Sequence, residues 1–428
     1  MSTCTKWVTK AVITCKNWAT KTDYECTSWA DEGSNQCSEW ADEGSNQCTS
    51  WDKCHWYTPW DCIAGFFCRA WYWVAKWVCK AYYWVAKWVC KAFAWVVEKF
   101  CEAAARWFKS RYGIDLDPER EICPVVGTKE GLAHLPLAVM DPGEVAVVPD
   151  PGYPVYSRSV ALAGGEVEYV PLEADRGFLP DLGILRGKTP RLVFVNYPNN
   201  PTSATADLGF YQTLVEWAGK SGAYVASDAA YAEVVFGGYA APSILQAAGG
   251  KEVAVEFHSF SKTFSMAGWR VGFVAGNAGL VGALRSLKSN LDSGVFAPIL
   301  LAAIAGLEEG WSAYRSSMSE YGLRRNMVFE GLDRCGVDFV RSPATLYVWA
   351  KVPDRAHAGA HARGGAGEGR TGSVSMEFAR TLLEKAGVLV APGLGFGSHG
   401  EGFVRISITC PTLRVGEAME RLAGAGSW

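Results

Sequence analysis

Several things are missing from this 428-residue sequence, and each absence narrows the reading. No stretch of about 18 apolar residues runs free of charge, so no membrane-spanning helix is expected. No positively charged start leads into an unbroken apolar run, so no secretory signal peptide is expected either. Excess positive charge is absent: 41 Lys and Arg stand against 44 Asp and Glu, a formal net charge of −3. That balance excludes a nucleic-acid binder held by global positive charge. The 14 cysteines include no C-x2–4-C pair of the kind zinc sites use. Histidine is scarce, and His357 and His361 stand four apart in a Gly-rich stretch with no third ligand nearby, so no metal site is expected. What remains is a soluble, cytoplasmic chain, long enough for two or three domains with sizeable cores.

What is present is unevenly spread. Eleven of the 14 cysteines precede residue 102. Cys4, Cys15, Cys26, Cys37 and Cys48 are eleven apart, and so are Cys68, Cys79, Cys90 and Cys101, with an aromatic residue three positions after most of them. Eleven residues make three helical turns, so each stripe keeps to one helix face. Pro59, in WYTPWD, divides the repeat into two arms. If the arms fold back antiparallel, facing residues have a constant sum, and 116 serves five pairs: Cys15 with Cys101, Cys26 with Cys90, Cys37 with Cys79, Cys48 with Cys68, and Cys54 with Cys62. The same register sets Trp29 opposite Lys87 and Trp40 opposite Lys76. The expectation for residues 1–101 is therefore a Cys/Trp-rich helical hairpin. Cytosolic conditions disfavour disulfides along such a ladder, and bridging requires Cα atoms about 5.5 Å apart. Alternatives are an interfacial membrane helix over residues 63–100, which are aromatic and basic, and a disordered repeat in which Gly33 and Gly44 weaken the helix.

The chemistry gathers in SFSKTFSMAGWRVGF, Ser259 to Phe273, just past an apolar run that reads as a strand. A lysine amine attacks carbonyl compounds when nearby positive charge or burial lowers its pKa. Here Lys262 lies among the hydroxyls of Ser259 and Ser261, and Arg270 offers a planar guanidinium suited to phosphate. Upstream, VNYPNNPTSA ends an apolar run at a turn carrying Asn200, and GAYVASDAAYAEVVF ends another at Asp228, with Tyr231 three residues on. Alternating strands and helices between Arg191 and Val274 argue for a mostly parallel sheet with ligand sites at the strand C-terminal ends. Asn200, Asp228 and Lys262, each just past an apolar run, would converge at one rim.

This ordered set of motifs resembles the class I/II, fold type I pyridoxal-phosphate-dependent aminotransferases, above all their LL-diaminopimelate and aspartate branch, which carry N-P-T-G, D-x-A-Y, S-x-S-K and G-W-R in this order. The likeness begins near Glu102 and runs to the C-terminus. It implies an α/β fold with a cofactor-binding large domain over 102–310 and a smaller C-terminal α+β domain over 311–428. It also implies roles. Lys262 would hold pyridoxal 5'-phosphate as a Schiff base and move the substrate's α-proton, and Asp228 would pair with the pyridine nitrogen. Asn200 and Tyr231 would bond the ring oxygen, and Tyr153 would stack on the ring. Gly127, Thr128 and Lys129, at a strand-turn-helix, would hold the phosphate together with Ser259, Ser261 and Arg270. Arg405, in FVRIS, would clamp the substrate's α-carboxylate, beside Asn200.

The substrates implied are an amino acid and a 2-oxo acid, and the assembly implied is a homodimer, because the segment Leu287 to Leu307 resembles one that lies beside the partner subunit's cofactor. Two departures from the family pattern stand out. Ser203 replaces the glycine after N-P-T, where it would tighten the turn without touching the ligand. The family's G-x-G-D-P loop and Y-P-x-x-x-G segment do not occur between Met1 and Cys101, which puts substrate closure and one phosphate contact in question. Two rivals to amino transfer remain at this stage: an interaction protein built on the hairpin with a cofactor-binding body that no longer turns over, and a lyase on the same fold.

Overall fold

The computed structural model describes residues 59–185, 187–354 and 373–424, without the side chains of 59–69, 71, 72, 86 and 90. The chain divides into two compact units, Met1–Lys99 with Lys288–Ala297, and Phe100–Leu287 with Pro298–Trp428. The first arm of the expected hairpin, and His357 and His361, lie outside the described residues. The second arm is a helix, α1 (Pro59–Tyr112), which opens on a proline whose missing N–H costs nothing in a first turn. It closes at Gly113, whose φ of +76° suits a left-handed helix stop. In the first unit Tyr83 is buried against Cys79 and Tyr82. Cys79 is disulfide-bonded, but the pairing scheme of the ladder lies outside the described residues.

The second unit is built on a seven-stranded sheet. Its strands are β1 (Ile122–Val125), β2 (Val145–Asp150), β3 (Glu166–Pro171), β4 (Leu192–Asn196), β5 (Tyr224–Asp228), β6 (Ala254–Ser259) and β7 (Gly272–Gly276). Their spatial order is β1-β7-β6-β5-β4-β2-β3, and β7 alone runs antiparallel to its neighbours. β4, β6 and β7 are buried along their whole length, as strands covered on both faces must be; β4 and β7 are almost wholly apolar, whereas β6 buries Glu256 and His258, which pair with each other at 2.8 Å. Helices α2 (Thr128–Val139), α3 (Val155–Leu162) and α4 (Leu208–Ser221) follow β1, β2 and β4. Asp207 caps α4, accepting from the Phe210 amide at 2.8 Å. Beyond Lys99, α1 buries Phe100, Ala104, Phe108 and Tyr112, a stripe at i+4 spacing, and the Phe100 ring meets those of Phe260 and Phe273.

A smaller antiparallel sheet, β8 (Tyr347–Lys351), β9 (Ala391–Pro392) and β10 (Phe403–Ser407), has the order β8-β10-β9. Its core also takes in α5 (Trp311–Cys335), α6 (Val374–Ala386) and α7 (Thr412–Gly424), through Val328, Leu332, Phe378, Leu382, Val415 and Met419. That core reaches Tyr231, Val234 and Phe236, just past β5, so the small sheet is packed beside the end of a central strand of the large one.

Candidate active site

Sheet register explains why distant parts of the sequence meet. Asn196 ends β4 opposite Asp228 at the end of β5, and Asp228 lies opposite Phe257 of β6. Because β7 is antiparallel, its first residue, Gly272, pairs with both Ser259 of β6 and Val125 of β1. The turn at Gly127 and the approach to β7 at Arg270 therefore share one rim with Asn200, Asp228 and Lys262.

Asp228 sits at the centre and is buried. It accepts from the Tyr156 hydroxyl at 2.7 Å and from the Ala230 amide at 3.2 Å. Burial raises its pKa to about 6, while the Tyr156 hydrogen bond and, behind it, the charges of His258 and Lys262 hold it down. The Asn196 side chain donates to the Asp228 carbonyl at 2.6 Å and accepts from the Asn200 amide at 2.8 Å, which fixes the turn holding Asn200 against the strand end. Lys262 lies in the single helical turn Phe260–Thr263, half-buried, its Nζ 5.9 Å from the centre of the Tyr231 ring.

Cationic and hydroxyl groups gather around Gly127 and Arg270. Gly127 has φ +75°, and a Cβ there would stand 2.3 Å from Arg270 Nη2, so the absence of a side chain is what lets the guanidinium lie against the start of α2. Arg270 donates to Ser261 Oγ at 3.4 Å and to the Ala267 carbonyl at 3.1 Å. Thr128, Ser259 and Ser261 are buried at this rim, whereas the Lys129 side chain is exposed. Tyr153 is half-buried; burial and then the charge of Asp228 raise its pKa, keeping the phenol protonated. Its ring meets that of Tyr156 edge-on at 5.9 Å.

Arg405 comes from β10 in the small sheet. Its Nη1 donates to Asn200 Oδ1 at 2.7 Å, and its guanidinium is sandwiched between the rings of Tyr347 at 4.0 Å and Phe396 at 4.6 Å. Its Nε is buried with no protein partner. The Tyr347 hydroxyl is 3.0 Å from that of Tyr231. Ser203, at φ +62°, donates to the Tyr347 carbonyl at 2.9 Å and receives a hydrogen bond from Thr345 at 2.9 Å, so it ties the Asn200 turn to β8 and points away from the cleft.

The structure thus gathers Gly127, Thr128, Tyr153, Asn200, Asp228, Tyr231, Ser259, Ser261, Lys262, Arg270 and Arg405, and leaves only the Lys129 side chain outward. The sequence reading overlooked Asn196, Tyr156, Tyr347 and Phe396. Tyr156 carried a signal, one helical turn beyond Tyr153 on a helix that starts at the sheet's rim. Tyr347 and Phe396 carried none, because their part depends on packing against a strand of another segment.

A lysine and an aspartate at the ends of adjacent strands in a mostly parallel sheet, with an arginine against a glycine turn, define a fold type I pyridoxal phosphate enzyme. The chain belongs to the aminotransferase class I and II family, whose model matches residues 94–422, and as such moves amino groups between small molecules with pyridoxal phosphate as cofactor. It is 48% identical over 325 residues to an LL-diaminopimelate aminotransferase of Desulforudis audaxviator, a match covering 75% of this chain and 79% of that one. An LL-diaminopimelate aminotransferase of Moorella thermoacetica is 46% identical over 326 residues, covering 75% and 78%. Among solved structures, substrate-bound BacF from Bacillus subtilis superposes with a TM-score of 0.70 at 33% identity, covering 76% of this chain and 80% of its own. A probable N-succinyldiaminopimelate aminotransferase from Thermus thermophilus gives 0.68 at 34%, covering 77% and 84%.

Proposed function

We propose that Lys262 is the lysine that binds the cofactor and shuttles the substrate's proton, and that the amino donor is a free α-amino acid whose carboxylate is held by Arg405. One observation carries this reading: the Lys262 charge is close enough to the buried Asp228 carboxyl to lower its pKa, and at the same rim the Arg270 guanidinium lies against Gly127, where a Cβ would stand 2.3 Å from Nη2. The donor set fits pyridoxal phosphate, with cations and hydroxyls toward a phosphate, a carboxyl toward a pyridine nitrogen and an amine toward an aldehyde. When bound, the cofactor supplies an electron sink in conjugation with the substrate's α-carbon.

The remaining work falls to the chain's own groups. Asp228 would hold a proton on the cofactor's ring nitrogen. Tyr231, fixed by Tyr347, bonds the ring oxygen through its hydroxyl, and Asn200, whose amide oxygen is taken by Arg405, donates through its free amide nitrogen. Tyr153 would stack on the ring and exclude water. Thr128, Ser259, Ser261 and Arg270, with the backbone amides of Gly127 to Lys129, hold the phosphate. Arg405 offers Nε and its remaining N–H groups to the α-carboxylate, held in plane by the two aromatic rings. Lys262 Nζ would take the substrate's α-proton and deliver it across the substrate nitrogen to the cofactor's carbon, which is the 1,3-shift of amino transfer.

LL-diaminopimelate is the donor favoured by the names of the relatives, and a 2-oxo acid is the acceptor. We assign a homodimer and a cytoplasmic location on the same likeness; among the described residues no helix is long and apolar enough to cross a membrane. The test is the absorption spectrum of the purified protein with pyridoxal phosphate, with and without amino acids including LL-diaminopimelate, beside Lys262→Ala. A band that needs Lys262 and shifts to the pyridoxamine form with the donor is expected. Absence of a lysine-dependent band overturns the assignment of Lys262, and release of keto acid without an acceptor turns the reading toward a lyase.

A further inference from the structure

The part of α1 in the first unit carries a feature that amino transfer does not use. Trp73, Trp77, Trp84, Trp88 and Trp95 are each between 54% and 64% exposed, and Val74, Val78, Val85 and Val89 are exposed beside them. At 100° per residue the five tryptophans fall within about 60° of arc, the valines extend that face to about 160°, and the stripe is about 33 Å long. The indoles of Trp73 and Trp77, and those of Trp84 and Trp88, meet edge-on at 6.2 and 6.0 Å, so the face carries two indole pairs along its length.

Charge decides what this ridge fits. Between Asp61 and Glu98 the sequence has no acidic residue and five basic ones, Arg69, Lys76, Lys80, Lys87 and Lys91, in a chain whose overall charge is negative. The four lysines occupy about 60° of arc along one edge of the tryptophan stripe, on the side away from the valines. Two copies pressed face to face would bring ten positive charges together, whereas an anionic bilayer complements them. Indole rings, apolar with one N–H, suit the headgroup boundary. The helix is not apolar enough to span a bilayer.

We propose that the Trp/Val face of α1 binds the surface of anionic membranes, with the helix lying in the plane of the interface and Lys80 and Lys91 reaching the headgroups. The occupant is a lipid surface, and a second copy of the chain is the competing outcome.

The full chain, loaded with cofactor, is floated with vesicles of equal parts phosphatidylcholine and phosphatidylserine, with vesicles of phosphatidylcholine alone, and at low and high salt. Flotation with the anionic vesicles that high salt weakens is expected. Lys80→Gln with Lys91→Gln, two exchanges at a helix surface, should weaken binding about 25-fold, at roughly fivefold per charge. Trp84→Ser with Trp88→Ser should abolish flotation and leave amino transfer unchanged. No flotation with anionic vesicles overturns the proposal, and if sedimentation then shows self-association lost in the tryptophan variant, the face belongs to a second copy. Equal flotation with phosphatidylcholine alone, or undiminished flotation of both variants, also overturns it.

Discussion

Replacing Tyr156 by phenylalanine removes one hydroxyl and leaves the ring, which stacks at 5.0 Å on Phe194, in place. The lost bond is the 2.7 Å contact to Asp228, in a site where both partners are buried. A hydrogen bond to a charged group stabilises by roughly 1.5–3 kcal/mol, enough to carry the Asp228 midpoint from about 6 to about 7–8. The sign for stability follows from the direction of the shift. A carboxyl whose pKa is higher folded than unfolded favours the folded state below the unfolded value of 3.8, and that contribution is lost as pH rises to the folded value of about 6. The cofactor-free wild type should therefore lose up to about 3 kcal/mol of stability between those two values, as an unpaired carboxylate is forced to ionise in a dry site. In Tyr156→Phe the decline should continue for another one to two pH units, and in Asp228→Asn it should vanish. Urea unfolding of the three cofactor-free proteins across this range, with carbon-13 NMR of labelled aspartate to follow the carboxyl directly, makes the comparison. Superposable pH profiles for the wild type and Tyr156→Phe would refute the reasoning.

Arg405→Lys should raise KM for the amino donor by roughly 10- to 100-fold while cofactor affinity stays unchanged, since a point charge cannot replace a guanidinium sandwiched between two rings; steady-state kinetics and cofactor titration separate the two. Gly127→Ala should weaken cofactor binding at least about tenfold in equilibrium dialysis, because the new methyl displaces Arg270 and the residue keeps a left-handed φ. Ser203→Ala should cost about 1–2 kcal/mol in urea unfolding, through the loss of its bonds to Tyr347 and Thr345. Ser203→Gly should cost less, because glycine relieves the positive φ that alanine retains.

Part of the proposed cofactor wall was legible because Asn200, Asp228 and Lys262 each lie just past an apolar run, and apolar runs in a parallel sheet end at one rim. Asp228 and Lys262 needed only that rule. Arg270 needed one thing more, the antiparallel course of β7, which no local pattern announces. The aromatic setting of Arg405 was hidden for a different reason: Tyr347 and Phe396 lie on separate segments, and no local pattern marks either ring as a neighbour of Arg405. Ser203 read as a departure from the family's glycine, and the structure gives it a partner across the turn. Helical periodicity was strong enough to place α1 but gave no sign of where its surroundings change. The sequence suggested a division after Cys101, and the compact units part between Lys99 and Phe100, inside one unbroken helix.

Lys262 and Arg270 stand at two ends of one short connection between β6 and β7. Between them Ser265 takes a left-handed conformation at φ +56°, Arg270 another at +55°, and Gly268 and Trp269 are exposed. Left-handed turns at non-glycine residues are costly to hold without outside support. A molecule gripped at one end by the lysine and at the other by the arginine closes that connection into a ring, so occupancy of the site also sets the conformation of the chain that forms it. On the proposed assignment of Lys262 and Arg270, resistance of this segment to proteolysis should rise with loading, a gauge readable without any substrate.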